Sequence, residues 1–202
     1  GYDLAGRAVL LIAGNGQTSQ NTYDALGRLT DRTLFRTSAM SETEVLAQFE
    51  WEHDLLGNVT AQHETWPGDA NGSTTRRNEI RSTVMTYDDN NRLLSETIQL
   101  RSSGAAQPQD QSITSYTYDA ANNRATKTVT RITGTSTEAG ENEIGHWTYT
   151  YNSANQLTGW EKLDYPSGSV QKSATLAYDD AGNRTSQSVS TLNSQLETLN
   201  TT

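Results

Sequence analysis

The sequence predicts an all-β fold: tandem β-hairpins that pair edge to edge into one long, curling antiparallel sheet. Three observations predict it. A seven-residue turn motif recurs seven times along 202 residues. Apolar and polar residues alternate in the segments that lead into the copies. Leu, Ile, Val and Phe together number only 33, too few for a thick aliphatic core. Such a share with a high net charge would mark disorder. The net charge of −9 is modest for this length, and nine Tyr and four Trp supply apolar area that the aliphatic count misses.

The copies read YDLAGRA from Tyr2, YDALGRL from Tyr23, HDLLGNV from His53, YDDNNRL from Tyr87, YDAANNR from Tyr118, YNSANQL from Tyr151 and YDDAGNR from Tyr178. They are spaced 21, 30, 34, 31, 33 and 27 residues apart. The lead residue is an aromatic ring, with His53 in one copy. The second residue is Asp3, Asp24, Asp54, Asp88, Asp119, Asn152 or Asp179. A short side-chain oxygen there accepts hydrogen bonds from backbone N–H groups two residues on, forming an Asx-turn. The fifth residue is Gly6, Gly27, Gly57, Asn91, Asn122, Asn155 or Gly182. Gly and Asn tolerate positive φ best, so one residue per turn is expected in the left-handed region.

The flanks have a period of two. Trp51, Met85, Tyr116, Tyr149 and Leu176 stand two residues before the lead aromatic, in five of the six copies with an upstream flank. Period two places this pair on one face of a strand. Thr-rich stretches such as Arg28–Thr33, Arg124–Thr130 and Leu157–Leu163 follow the turns and suit strands. Each unit is therefore strand, tight turn, strand. Gly14-Asn15-Gly16 signals a further hairpin tip. The stretches 67–75, 102–112 and 133–145 have loop composition.

Two helical signals compete with this pattern. Ser41–Trp51 begins with a Ser and carries Glu three residues later, a capping-box pattern. It also reads as the strand leading into the third turn. Leu192, Leu196 and Leu199 have helical spacing. The expected organisation is an array of seven hairpin units over 1–190 and a polar tail over 191–202, either a short helix or without fixed structure. A lone hairpin is marginal in water, so neighbours must pair.

Several function classes fall away. No apolar run approaches the ~20 residues of a membrane helix. No signal peptide is visible at the N-terminus. Without cysteine there is no disulfide framework or thiolate chemistry. A pI of about 4.7 makes nucleic acid an unsuitable partner.

The tyrosine–aspartate motif, intact at Tyr23–Leu29, resembles the YD repeat of the bacterial Rhs and insecticidal toxin-complex families, shared with animal teneurins. Tyr178–Arg184 is similar to the Gly-Asn-Arg variant. The resemblance spans Tyr2 to about Val189. Departures are His53 for Tyr, Asn152 for Asp, and Asn at three of the fifth positions. The resemblance implies a β-strip that spirals into a hollow shell around a toxin or folded cargo. It also implies a secreted or cell-surface location in a bacterium, within a larger exported protein. Toxin-carrying members add an autoproteolytic region and an effector, and neither is visible here. The expectation is a piece of shell wall. Its partners would be the remainder of the shell and its cargo.

The titratable residues point away from catalysis. His53, His63 and His146 lack any paired-ligand spacing, so no metal or other cofactor is expected. No GxSxG elbow, phosphate loop or dinucleotide fingerprint occurs. Asp69–Ser73 lacks the Gly and Glu of a calcium loop. The turn aspartates are needed as turn formers, so no catalytic residue is assigned and the chain is read as not an enzyme. The alternative function is a carbohydrate- or receptor-binding surface, with Trp66 and Trp160 as candidate glycan-stacking residues. The lead aromatics are expected to staple neighbouring hairpins by cross-strand packing.

Overall fold

The computed structural model describes residues 1–37, 43–67, 79–102, 105, 108, 110–133, 144–164 and 168–191. These form two compact units, one built on Gly1–Gln111 and one on Ser112–Ile132 and the later strands. The strands of the first are β1 (Leu10–Ile12), β2 (Gln17–Tyr23), β3 (Leu29–Thr37), β4 (Thr43–His53), β5 (Val59–Trp66), β6 (Glu79–Tyr87) and β7 (Leu93–Ser102). Those of the second are β8 (Asp110–Tyr118, within the unit from Ser112), β9 (Arg124–Thr133), β10 (Gly145–Tyr151), β11 (Leu157–Leu163), β12 (Val170–Tyr178) and β13 (Arg184–Thr191). Within each unit the strands are hydrogen-bonded in chain order, a meander of antiparallel hairpins. The fold class is all-β, with no helix among the described residues.

The segment 41–51, open between helix and strand, resolves as strand β4 from Thr43 onward. Its backbone pairs with β3 on one side and β5 on the other. Tertiary pairing outweighs a weak helix-start signal. Loop composition at 102–112 also overreached, because β7 runs to Ser102 and β8 starts at Asp110. Gly14–Gly16 is a hairpin tip: the Gly16 amide donates to Ala13 O at 3.1 Å, with Gly16 at φ 79°. The leucine-spaced segment 192–202, and most of 67–75 and 133–145, lie outside the described residues.

Each unit is thin. Among the described residues only Leu46, Ala47, Ala61, Ile98, Val129 and Ala174 form a buried apolar core. Residues one before the lead aromatic, such as Thr22, Glu52, Thr86 and Thr150, are exposed, while Trp51, Met85, Tyr149 and Leu176 on the opposite face are partly buried. In five hairpins the register slips just before the lead aromatic: Thr22 pairs with Asp31, but Tyr23 with Leu29. The same slip occurs at Glu52/His53, Thr86/Tyr87, Thr150/Tyr151 and Ala177/Tyr178. One residue of the following strand is left as a bulge, which adds right-handed twist beside every such turn.

Candidate functional site

The repeated turns are the most elaborate chemistry in the chain. In the first turn the Asp3 amide donates to Arg7 O at 2.9 Å and the Gly6 amide to Asp3 O at 3.0 Å. That is a three-residue hairpin loop in which the last loop residue takes left-handed geometry. All seven fifth-position residues have positive φ: Gly6 78°, Gly27 83°, Gly57 95°, Asn91 60°, Asn122 68°, Asn155 58° and Gly182 86°.

The second-position side chain organises the loop. Its Oδ1 accepts two backbone N–H groups, from the residues two and four positions on, at 2.8–3.0 Å in every copy. Its other oxygen takes the sixth residue. Arg7, Arg28 and Arg92 reach Asp3, Asp24 and Asp88 through Nε at 2.6 Å. Asn58, Asn123 and Asn183 donate to Asp54, Asp119 and Asp179 at 2.8, 3.1 and 3.0 Å. The sixth turn runs in reverse: Asn152 Nδ2 donates to Gln156 Oε1 at 2.6 Å.

These contacts hold the carboxyls of Asp3, Asp24 and Asp88 below the ordinary carboxylate value. The backbone N–H of the sixth residue is the leading cause, and burial opposes it. For Asp54 and Asp179 the leading cause is the side-chain amide of Asn58 or Asn183. Donation to an ionised oxygen favours the charged form.

The sixth residue also reaches the next turn. Arg7 Nη1 donates to Asp24 O at 3.2 Å, and Arg28 Nη1 to Asp54 O at 2.6 Å. Asn58 and Asn123 donate to the Oδ1 of Asn91 and Asn155, both at 3.0 Å. Gln156 donates to Gly182 O at 3.3 Å. Donor length and acceptor match in these five. A long side chain reaches a backbone carbonyl of the next turn, whereas a short Asn meets an Asn side chain that extends toward it.

The lead tyrosines make a second set of links. Tyr23, Tyr87, Tyr151 and Tyr178 donate their hydroxyls to the carbonyls of Ala8, Val59, Arg124 and Leu157 at 2.9, 2.8, 3.1 and 2.9 Å. Each acceptor is the seventh residue of the preceding motif. Burial raises the phenol pKa of Tyr87 and Tyr151. Arg7 lies over the Tyr23 ring at 4.8 Å, and Arg124 over Tyr149 at 4.5 Å. At these four tyrosines the link to the neighbouring hairpin is the hydroxyl-to-carbonyl hydrogen bond.

The remaining sequence-selected residues fall as follows. Tyr2 is largely exposed, while His53 and Tyr118 are half-buried. Trp66 is 39% exposed and meets Phe49 edge to face at 5.6 Å. Trp160 is half-buried opposite Tyr149 and Ala174. His63 and His146 pair with the Ser82 and Thr128 hydroxyls at 3.0 and 2.7 Å. No group of three His, Cys, Asp or Glu at metal-binding distance occurs among the described residues.

Sequence reasoning missed the roles of the sixth and seventh positions. The signal was present: the sixth residue is Arg, Asn or Gln in all seven copies, each an N–H donor.

No family model matches the chain, and no curated protein is detectably similar in sequence. Among solved structures it is similar to TcdB2-TccC3-TEV at 17% identity and a TM-score of 0.33, over 94% of this chain and 11% of that one. It is similar to TcdB2-TccC3 at 15% identity and a TM-score of 0.25, over 98% and 15% of the two chains. A porin-like protein from Bacteroides uniformis aligns at 14% identity and a TM-score of 0.36, over 89% and 85%. The chain thus spans a small fraction of the length of the first two.

Proposed function

We propose that this chain is a non-catalytic structural segment, a stretch of wall in a larger Rhs or toxin-complex-type β-shell that encloses a toxin or folded cargo. The observation that carries the reading is the turn ladder: the sixth residue of one motif donates to the next turn, as Arg28 does to Asp54 O. The lead tyrosine of the later motif donates back to the earlier one, as Tyr23 does to Ala8 O. Hydrogen bonds of this kind contribute about 0.5–1.5 kcal/mol each. They act along the strip and depend little on depth of core, which suits a wall one sheet thick. Each repeat offers a donor side and an acceptor side, so the array extends without new chemistry.

In this reading the turn aspartates are structural and no residue performs covalent chemistry. The partners are the remaining shell and its cargo, and the setting is a larger exported bacterial protein. The test is limited proteolysis of the native full-length polypeptide. A segment outside the array should be protected while the turns are intact, and digested after Asp24→Ala and Asp119→Ala together. Equal digestion in both proteins overturns the enclosure. A carbohydrate- or receptor-binding surface is the second reading, favoured only by the partial exposure of Trp66. It predicts that Trp66→Ala abolishes glycan capture at unchanged melting temperature.

A further inference from the structure

One repeat breaks the apolar rule two residues before the lead aromatic. Where the other flanked copies have Trp51, Met85, Tyr116, Tyr149 or Leu176, the second copy has Asn21. Asn21 is only 4% exposed. Its amide donates to Ala8 O at 2.9 Å, and its Oδ1 accepts the Ser19 hydroxyl at 3.2 Å and Arg32 Nε at 2.9 Å. A buried polar side chain is expected to be satisfied, and this one is satisfied by positioning an arginine.

Arg32 lines a hollow of about 480 Å3 on the face that carries Trp51 and the lead aromatics. Leu11, Leu34, Phe49 and Trp51 make most of its wall apolar, and Gln62 stands directly across from Trp51. Phe49 and Trp51 stack at 6.0 Å, 13° from parallel. A second hollow of about 280 Å3 shares Leu11 and Leu34 and adds Ile12 and Leu46. Among the described residues no carboxylate lines either hollow. The nearby Glu64, across from Phe49, accepts Gln62 Nε2 at 3.0 Å. With Nε fixed on Asn21, the two terminal nitrogens of Arg32 have no protein partner among the described residues.

We propose that this hollow binds a carboxylate carried on an apolar body. The terminal fork of Arg32 takes the carboxylate through two parallel hydrogen bonds, the geometry a guanidinium offers. The body, aromatic or aliphatic, lies against Phe49, Trp51 and Leu34, and a longer chain continues toward Ile12 and Leu46. The volume is within the range of small-ligand sites. The same chemistry is supplied by a free monocarboxylic acid or by the C-terminal carboxylate of a polypeptide ending in Phe or Leu. This inference does not depend on the wall reading.

The test is calorimetric titration of the whole chain with 3-phenylpropionate, decanoate and an acetylated tripeptide ending in Phe. The amide 3-phenylpropionamide and the sugar acid glucuronate serve as controls. The acids should bind, and the amide about tenfold more weakly or worse, the scale of a lost charge-assisted contact. Arg32→Gln should show the same loss. Asn21→Leu, which installs a residue type found at this position in another copy, should lose binding without a lower melting temperature. A free acid that binds as well as the peptide assigns the site to small acids; a peptide tenfold tighter assigns it to a chain terminus. The proposal is overturned by no binding at millimolar acid, by amide or glucuronate binding as tightly as the acids, or by unchanged affinity in Arg32→Gln.

Discussion

The phenolic oxygen of Tyr87 lies 2.8 Å from the backbone carbonyl oxygen of Val59 and donates to it across the hairpin boundary. Val59 is the seventh residue of the preceding motif, the position that Ala8, Arg124 and Leu157 occupy for Tyr23, Tyr151 and Tyr178. In these four copies the tyrosine thus brings a hydroxyl link in addition to its ring. Phenylalanine would fill the same space and leave the link unmade.

Tyr87→Phe should therefore destabilise the chain by about 1 kcal/mol, the typical net worth of one hydrogen bond. At this chain length that is roughly 2–4 °C in melting temperature by circular dichroism. His53→Tyr should shift melting upward by a similar amount, because Leu29 presents the equivalent carbonyl and His53 has no hydroxyl. If Tyr87→Phe melted like wild type, the ring would be the whole contribution.

The match of donor length to acceptor makes a sharper prediction. Asn58 Nδ2 meets Asn91 Oδ1 at 3.0 Å, and Asn91 accepts a φ of 60° to be there. Asn91→Gly removes the acceptor but relieves backbone strain, so its net effect on melting should be small. A double-mutant cycle with Asn58→Ala should give a coupling of about 0.5–1.5 kcal/mol. Asn58→Arg combined with Asn91→Gly should melt above the Asn58→Ala, Asn91→Gly double variant, since it copies the Arg28-to-Asp54 pairing. Zero coupling would mean that the two turns do not communicate through this bond.

The turns were legible in the sequence because their causes are local. An Asx side chain and a left-handed residue three positions later define the loop by themselves, as at Asp24 and Gly27. The links between turns were not legible. Arg28 and Asp54 are 26 residues apart, Asn58 and Asn91 33 apart, and the intervening lengths vary from copy to copy. Strand β4 was ambiguous for a related reason: its state is decided by β3 and β5 on either side. The Asn21–Arg32 contact depends on the register slip between Thr22 and Tyr23, a bulge that no sequence signal marked.

Gly159 is constrained by space. It is buried in β11, and a Cβ there would lie 2.9 Å from Thr150 Oγ1 and 3.2 Å from Ala174 O. The hydroxyl can rotate away, but the carbonyl belongs to the adjoining strand. Gly159→Val should cost about 1–3 kcal/mol, the usual penalty of overpacking. Gly14→Ala, where a Cβ meets nothing within 4 Å, is the control and should leave urea unfolding unchanged. Equal midpoints for the two variants would refute the packing argument.

The depressed carboxyls of Asp3, Asp24, Asp54, Asp88 and Asp179 make stability depend on acid in one direction. A carboxyl whose folded pKa lies below its unfolded value binds fewer protons when native. Its contribution is complete above the unfolded value, near ~4, and is lost as pH falls through the folded value. Melting temperature should therefore hold level from about pH 7 to about pH 5 and decline below about pH 4. Asn152 is the internal control: its turn makes the same two backbone contacts at 3.0 Å with a side chain that does not titrate. Asp→Asn at all five positions should keep the turns closed at neutral pH, with some loss from the broken pairs to Arg7, Arg28 and Arg92, and should flatten the decline in acid. A decline as steep as that of wild type would place the acid sensitivity in the other carboxylates and remove the turns as its source.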